Sequence, residues 1–307
     1  MKENLQRSQQ SISRGKGVRH KVIAFFMLLI LCAIWLFPFI YVFGMSFRTV
    51  NDMALYPTSV FPHSDGWTLE NYAVFFKVTN GKLDVLLNAM INSIATTTVN
   101  VVINLIITVL AAYSYVFMRY KGRVLIYTLI ISVMAVPSVI GFAPLFSMYV
   151  SIGKQFDILN TLSYFYVWII FPGIAGAFNL MIMVNCFKNM PKDIVESARS
   201  DGASEFSIFR RVILPLARSS MLVCALFAFN ASWNNFMFPQ LVVATQSDPQ
   251  LHSTVTVSLM GWIQNTDISF RGTAMATCVV SLIPLAVMYV LTQNKMIDGL
   301  ASTGIKG

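Results

Sequence analysis

Residues 188–218, KNMPKDIVESARSDGASEFSIFRRVILPLAR, form a polar island between two long apolar runs. The spacing within it predicts two short helices joined by a glycine elbow. Pro191 suits a first helical turn with Asn189 as its cap, and Asp193 with Glu196 has capping-box spacing, so two starts are open. The first helix runs to Ser200 and stops at Asp201-Gly202, where glycine can turn left-handed. Ser204 caps a second helix, Glu205–Arg211, and Pro215 marks its exit towards the next apolar run. Such a knob suits docking into a cleft on a partner better than catalysis. It is also compatible with a plain solvated loop.

The rest of the chain is built for a different solvent. Apolar residues make up 56% of it and charged residues only 11%, whereas soluble domains average roughly 25% charged. The intervals free of Lys, Arg, Asp and Glu are Val22–Phe47, Val85–Met118, Val124–Gly153, Ile158–Phe187, Ser219–Ser247 and Gly272–Asn294. Each exceeds the ~20 residues a helix needs to cross a bilayer. An all-α membrane protein with six transmembrane helices is therefore expected. The second interval is too long for one span, and its polar start at Asn88, Asn92 and Ser93 is placed near the outer interface.

Charge asymmetry orients the spans. With the N-terminus inside, segments 1–21, 118–123, 188–218 and 295–307 carry 17 Lys and Arg, and the outside segments carry 5. Both termini and the polar island are thus expected in the cytoplasm. The net charge of +9 reflects this orientation. No nucleic acid is implied, because the basic residues do not gather on one compact domain. The apolar run after the basic start is too long for a signal peptide and lacks a small-x-small cleavage site, so it is read as an uncleaved first helix. Cys32, Cys186, Cys224 and Cys278 fall on four different helices and read as small apolar residues. His20, His63 and His252 form no metal set.

No charged residue lies in the core of any span, which disfavours a proton-coupled mechanism. Sodium can still be held by carbonyls and hydroxyls, so a self-sufficient secondary transporter of a small polar solute remains an alternative. A phosphate-binding loop is absent, since Gly153-Lys154 lacks the upstream glycine and the Ser or Thr. Nor is there a clustered nucleophile and base, so the chain reads as a transport subunit and not an enzyme. Energy for uphill transport then has to come from another subunit, gripped from the cytoplasm.

The island resembles the EAA loop of permease subunits in binding-protein-dependent ABC importers, with consensus E-A-A-x3-G-x9-I-x-L-P. Glu196, Ala198, Gly202, Leu214 and Pro215 match it, while Ser197 and Val212 replace the first Ala and the Ile. The likeness extends to Asn92-Ser93, Ala111-Ala112-Tyr113, residues 120–123, Val136-Pro137, Pro144, residues 232–236, 298–300 and Lys306-Gly307. It is similar to the smaller membrane subunit of maltose-type carbohydrate importers. The resemblance implies a permease domain over 22–294 with a coupling loop at 188–218, in a bacterial or archaeal cytoplasmic membrane. It implies a paralogous permease, two copies of an ABC ATPase carrying ATP and Mg, and an extracytoplasmic solute-binding protein. Glu196 and Gly202 would form the coupling joint, Ala198 would allow close approach, and the tail 295–307 would reach between the ATPases.

The substrate path is less sharply drawn. The second helix carries Asn88, Asn92, Thr96, Asn100, Asn104 and Thr108 at steps of four, and each step advances about 40° around a helix. This winding stripe suits interhelical hydrogen bonding or a lining of the path. In the fifth helix Phe229, Trp233, Asn234, Asn235 and Phe238 mix aromatic faces with amides, a mixture that suits sugars and core packing alike. Tyr164, Tyr166 and Trp168 read as an interfacial belt. Pro137, Pro144, Pro172, Pro239 and Pro284 are expected to kink their helices. The outside segments Arg48–Asp84 and Asp248–Arg271 suit contact with a receptor.

Overall fold

The apolar runs fold as helices in the computed structural model, which describes residues 2–73, 75, 78–79, 82–83, 85–249, 251–265 and 267–304. Side chains are described over 21–293, apart from 74, 76–84, 192, 250 and 266. The helices, in order, are α1 (Lys2–Ser46), α2 (Val50–Leu55), α3 (Glu70–Ala73), α4 (Val85–Phe117), α5 (Arg123–Ser132), α6 (Phe142–Gln155) and α7 (Leu162–Ile170). They continue as α8 (Ala177–Lys188), α9 (Lys192–Ser200), α10 (Glu205–Ile208), α11 (Leu214–Trp233), α12 (Met237–Val243), α13 (Val255–Gln264) and α14 (Arg271–Gly304). A two-residue ladder, β1 (Val78–Thr79) against β2 (Lys82–Leu83), precedes α4. The side chains of the basic segment before Lys21 and of the tail from 294 lie outside the described residues, as do residues 305–307.

Four apolar helical stretches are long enough to span a bilayer unbroken: Lys21–Ser46, Val85–Phe117, Glu205–Trp233 and Ile268–Gln293. Two more are broken, with Arg123–Ala135 meeting Ser138–Gln155 at 99° and Leu162–Gly173 meeting Ala177–Lys188 at 50°. Counting each bent pair as one span, these are the six expected runs. The first break falls at Pro137, where a missing N–H and the ring end the helical ladder, and the second at residues 174–176, just after the 3-10 turn that holds Pro172. Pro144 and Pro239 do not kink their helices. They lie in the first turns of α6 and α12, where a proline costs no hydrogen bond. Pro284 sits within the unbroken α14.

The fifth span departs from expectation at its start. The second helix of the polar island does not end at Arg211. It passes through a π turn, Phe209–Ile213, straight into α11, so that helix is continuous over Glu205–Trp233. At the turn the Leu214 N–H reaches back five residues to the Phe209 carbonyl. Pro215 therefore occupies the opening of α11 and does not mark an exit. The π turn shifts the ladder so that proline's missing donor is tolerated.

The chain divides into two compact units, 73–265 with 280–307 and 1–72 with 266–279. In the larger unit, α4 packs against α8 and α11. Its Asn/Thr stripe is buried: Asn92, Thr96, Asn100, Asn104 and Thr108 are each at most 4% exposed. The reason is the broken fourth span. Asn100 donates from Nδ2 to the Ile170 carbonyl and Asn104 from Nδ2 to the Gly173 carbonyl, both at 2.9 Å. A break inside a membrane frees carbonyls that cannot turn to water, and these two amides satisfy them. Asn179 closes the arrangement, donating to Asn104 Oδ1 at 2.8 Å and to the Cys224 carbonyl at 3.1 Å. Asn92 serves another segment, donating to the Leu251 and Ser253 carbonyls and accepting from Tyr166 Oη at 2.7 Å.

The aromatic belt reading of α7 is not what forms. Tyr164 and Trp168 are buried at 7% and 6% exposure. Tyr164 donates to the Tyr149 carbonyl at 2.6 Å and its ring stacks on that of Tyr149. Packing against Tyr149 of α6 and Phe238 and Val242 of α12 buries these rings, which composition alone does not reveal.

The smaller unit is organised by one guanidinium. Arg48 is fully buried. It pairs with Asp52 and donates to the carbonyls of Ser59, Asp52 and Tyr56 at 2.5, 2.8 and 2.8 Å. Asp52 also accepts from the His63 backbone N–H at 3.3 Å and lies 3.0 Å from His63 Nδ1. A buried charge survives only when paired and fully hydrogen-bonded, and this one is. Burial alone would raise the Asp52 pKa, but the bonds from Arg48 and His63 outweigh it and hold the carboxyl below the ordinary aspartate value.

Two outcomes follow from these contacts. A Cβ at Gly173 would lie 2.3 Å from Asn100 Nδ2, whereas one at Gly261 in α13 would meet nothing within 4 Å. Gly173→Ala is expected to lower the unfolding midpoint in detergent. Gly261→Ala is expected to leave it unchanged or raise it by the equivalent of about 0.5–1 kcal/mol; equal effects would remove the clamp from the account. For Asp52, the folded pKa is depressed, so its contribution is complete above the unfolded value of about 3.9 and is lost as pH falls through the lower folded value. Protection factors for residues 48–68, corrected for intrinsic exchange, are expected to hold constant down to about pH 4 and to fall below it. In Asp52→Asn, exchange is expected to be fast at every pH.

Candidate functional site: an exposed elbow and an uncharged cavity

The polar island folds much as its residues dictate. Pro191 stands at the N-cap position of α9 without a side-chain cap bond. The far end of α9 closes in a Schellman arrangement, with Gly202 N–H bonded to the Arg199 carbonyl and Ala203 N–H to the Ala198 carbonyl, both at 3.0 Å. Gly202 has φ +79, the left-handed region in which a Cβ is strained. A Cβ there would meet no neighbouring atom, so backbone conformation, not internal crowding, selects glycine. Ser204 caps α10 by accepting from Ser207 N–H at 3.3 Å.

A clamp that sequence reasoning did not assign holds the elbow shut. Arg199 Nε donates to Glu205 Oε1 at 2.7 Å and its Nη2 to Oε2 at 3.2 Å, across the glycine. Tyr113 of α4 donates its hydroxyl to Glu205 Oε2 at 2.5 Å. Arg199 Nη2 also reaches the Phe117 carbonyl at the end of α4, at 3.5 Å. The hydrogen bonds with Glu205 push the Arg199 pKa further up and keep it protonated. Both charged side chains are more than a third exposed, so the pair contributes only about 0–1 kcal/mol of stability. Its larger effect is geometric, since it ties the elbow to α4. The available signal was the opposite charges of Arg199 and Glu205 flanking Asp201-Gly202.

Much of the elbow is open to solvent. Glu196, Gly202 and Pro215 are exposed, and Phe206 on α10 is 70% exposed. Ala198 and Leu214 are half-buried and pack against the core formed by Val195, Ile208 and Ile213. The five residues of the motif therefore divide into three that face outward and two that seat the elbow.

The second candidate feature is a cavity of about 440 Å³ beside the broken fourth span. Asn100, Asn104 and Asn235 line it, together with Asn179, Asn230 and Phe227, which sequence reasoning did not single out. Asn92, Trp233 and Asn234 do not line it. Trp233 is buried with Nε1 donating to the Ser281 carbonyl at 3.1 Å, and Asn234 donates to Asn230 Oδ1 at 2.7 Å. Phe227 and Asn230 stand three apart on α11, but Asn179 lies on α8, and the two helices meet only after folding.

A bundle of apolar spans, one broken around a polar cavity and another running on from an exposed rigid elbow, defines the class of polytopic helical permeases. The comparison with known families agrees. Residues 104–296 match the family model of the binding-protein-dependent transport system inner membrane component, and the chain belongs to that family. It is 27% identical to the alpha-glucoside transport system permease protein AglG of Rhizobium meliloti (strain 1021), over 78% of this chain and 61% of that protein. It is 28% identical to the sulfoquinovosyl glycerol transport system permease protein SmoH of Agrobacterium fabrum, over 94% of each chain. It is 27% identical to the maltodextrin transport system permease protein MdxG of Bacillus subtilis, over 94% of this chain and 97% of that one. The fold is also similar to that of a chain in the crystal structure of a bacterial ABC transporter that imports the acidic polysaccharide alginate. That match has a TM-score of 0.72 at 22% identity, covering 89% of this chain and 95% of that one.

The clamp makes a prediction about motion. In the double variant Tyr113→Phe, Arg199→Ala, hydrogen exchange over residues 199–209 is expected to accelerate in the intact protein. The unfolding midpoint should fall by no more than about 1 kcal/mol equivalent. Unchanged exchange would show that the glycine turn alone holds the elbow.

Proposed function

We propose that this chain is one of the two membrane-spanning subunits of an ATP-driven, binding-protein-dependent carbohydrate importer. The observation that carries the reading is the Gly202 elbow, in a Schellman turn at the motif glycine, within a chain that belongs to this permease family. The relatives' names supply the solute class, since they carry alpha-glucosides, sulfoquinovosyl glycerol and maltodextrin. A structural neighbour is an alginate transporter in complex with a pentasaccharide-bound periplasmic protein. The partners are a paralogous permease, two ATPase subunits that bind ATP and Mg, and a solute-binding protein on the outside.

In this reading both termini and the elbow lie in the cytoplasm, in keeping with 17 Lys and Arg on that side against 5 on the other. Glu196, Gly202 and Phe206 face the ATPase. Because α10 runs unbroken through the π turn into α11, a rigid-body push on the elbow moves the cavity-lining helix directly. The ATPase then needs only to favour one of two arrangements of the permease pair, through contacts that differ between them.

The test is purification of the tagged chain from its native membrane in mild detergent, followed by reconstitution. An ATPase and a second permease are expected to travel with it, and uptake into proteoliposomes is expected to require ATP. Gly202→Val is expected to abolish uptake while the chain still inserts in the membrane. A chain that comes down alone and transports without ATP would overturn the proposal and restore a secondary transporter.

A further inference from the structure

The cavity beside the broken span is more specific than its place in a transporter requires. Its lining includes the amides of Asn100, Asn104, Asn179, Asn230 and Asn235, and no Lys, Arg, His, Asp or Glu. The protein uses some of these groups and leaves others. Asn100 and Asn104 each spend an N–H on a carbonyl of the break, and Asn179 spends both of its own on Asn104 and Cys224. Among the described residues, the Asn179 Oδ1, the Asn230 Nδ2 and the whole Asn235 amide have no protein partner. Asn179 is only 4% exposed and lines the cavity.

Two further observations point the same way. Phe178 and Phe227 line the cavity and stand edge to face, ring centroids 5.0 Å apart, with each ring about 40% exposed. No side chain caps the start of α8 at Gly176, which leaves its first backbone N–H groups for water or a ligand. The space thus presents mixed donors and acceptors next to an aromatic wall. Hydroxyl groups, which both donate and accept, match that mixture, and the C–H faces of a sugar ring match the aromatic wall.

Charge decides the class. An anionic sugar entering this space would be stripped of water with no cation to meet it. A helix N-terminus contributes far less than the desolvation of an unpaired anion costs. We propose that this chain contacts substrate directly in this cavity and that the site takes an uncharged, hydroxyl-bearing glycan unit. Asn230 and Asn235 hydrogen-bond the glycan, Phe178 and Phe227 form its stacking wall, and carboxylated, sulfonated or phosphorylated sugars are excluded. The inference rests on the importer reading above.

The experiment uses the whole transporter, purified with its permease, ATPase and binding-protein partners and placed in proteoliposomes. Two pools are offered: neutral oligosaccharides from starch, xylan and chitin hydrolysates, and an anionic pool of alginate oligosaccharides with glycerol 3-phosphate. Accumulated solutes are read by mass spectrometry. ATP-dependent accumulation from the neutral pool alone is expected. Asn230→Leu and, separately, Phe227→Leu are expected to cut its initial rate about tenfold, with complex assembly intact. Both positions are exposed in the described chain, so both variants should fold; assembly is checked by co-purification. Accumulation from the anionic pool, or wild-type rates in both variants, would overturn the proposal. ATP-independent accumulation, or none from either pool, would instead strike the importer reading itself.

Discussion

A carbonyl freed by a helix break inside a bilayer has no water to turn to, and much of this fold follows from how two such carbonyls are satisfied. The fourth span breaks just after the turn that holds Pro172, and Asn100 and Asn104 supply the missing donors from α4. Asn179 then ties those amides to α11 through Cys224. The close approach explains why Gly173 has no side chain. It also explains why a polar stripe can sit in an apolar chain: each buried amide has a backbone partner.

The same construction opens the cavity. Where the helix is broken, five asparagines interrupt an otherwise largely apolar wall around the space. Irregular backbone at membrane depth persists where it lines such a space. The amides that stabilise the break and those left open at the cavity are therefore neighbours. This arrangement makes the two roles hard to separate by mutation of Asn100 or Asn104, but separable at Asn230 and Phe227.

At the other end of α11 the physical problem is rigidity. Two weak devices hold the shape of the elbow. The Schellman turn at Gly202 fixes the chain reversal, and the Arg199–Glu205–Tyr113 clamp anchors it to α4. Neither contributes much to stability. The π turn that follows carries the helix past Pro215 without a break, so the elbow and the cavity-lining helix are one continuous element.

Much of this was legible in the residues. Apolar runs bounded by charge gave the six spans, because the bilayer demands length and apolarity locally. The elbow was legible too, since caps and left-handed glycines act over four or five residues. Other features were not. Whether Pro137 and Pro144 break their helices depends on position within a turn, and only Pro137 does so. Tyr164 and Trp168 suit a membrane interface by type, yet packing buries them. The Asn stripe at steps of four left its role open, because an amide's partner lies on another helix. What the sequence determined by itself is therefore set by local rules: span length, charge bias and turn chemistry. What the tertiary structure decided is which amides are spent on the protein and which are left open at the cavity, because that depends on how helices distant in sequence meet.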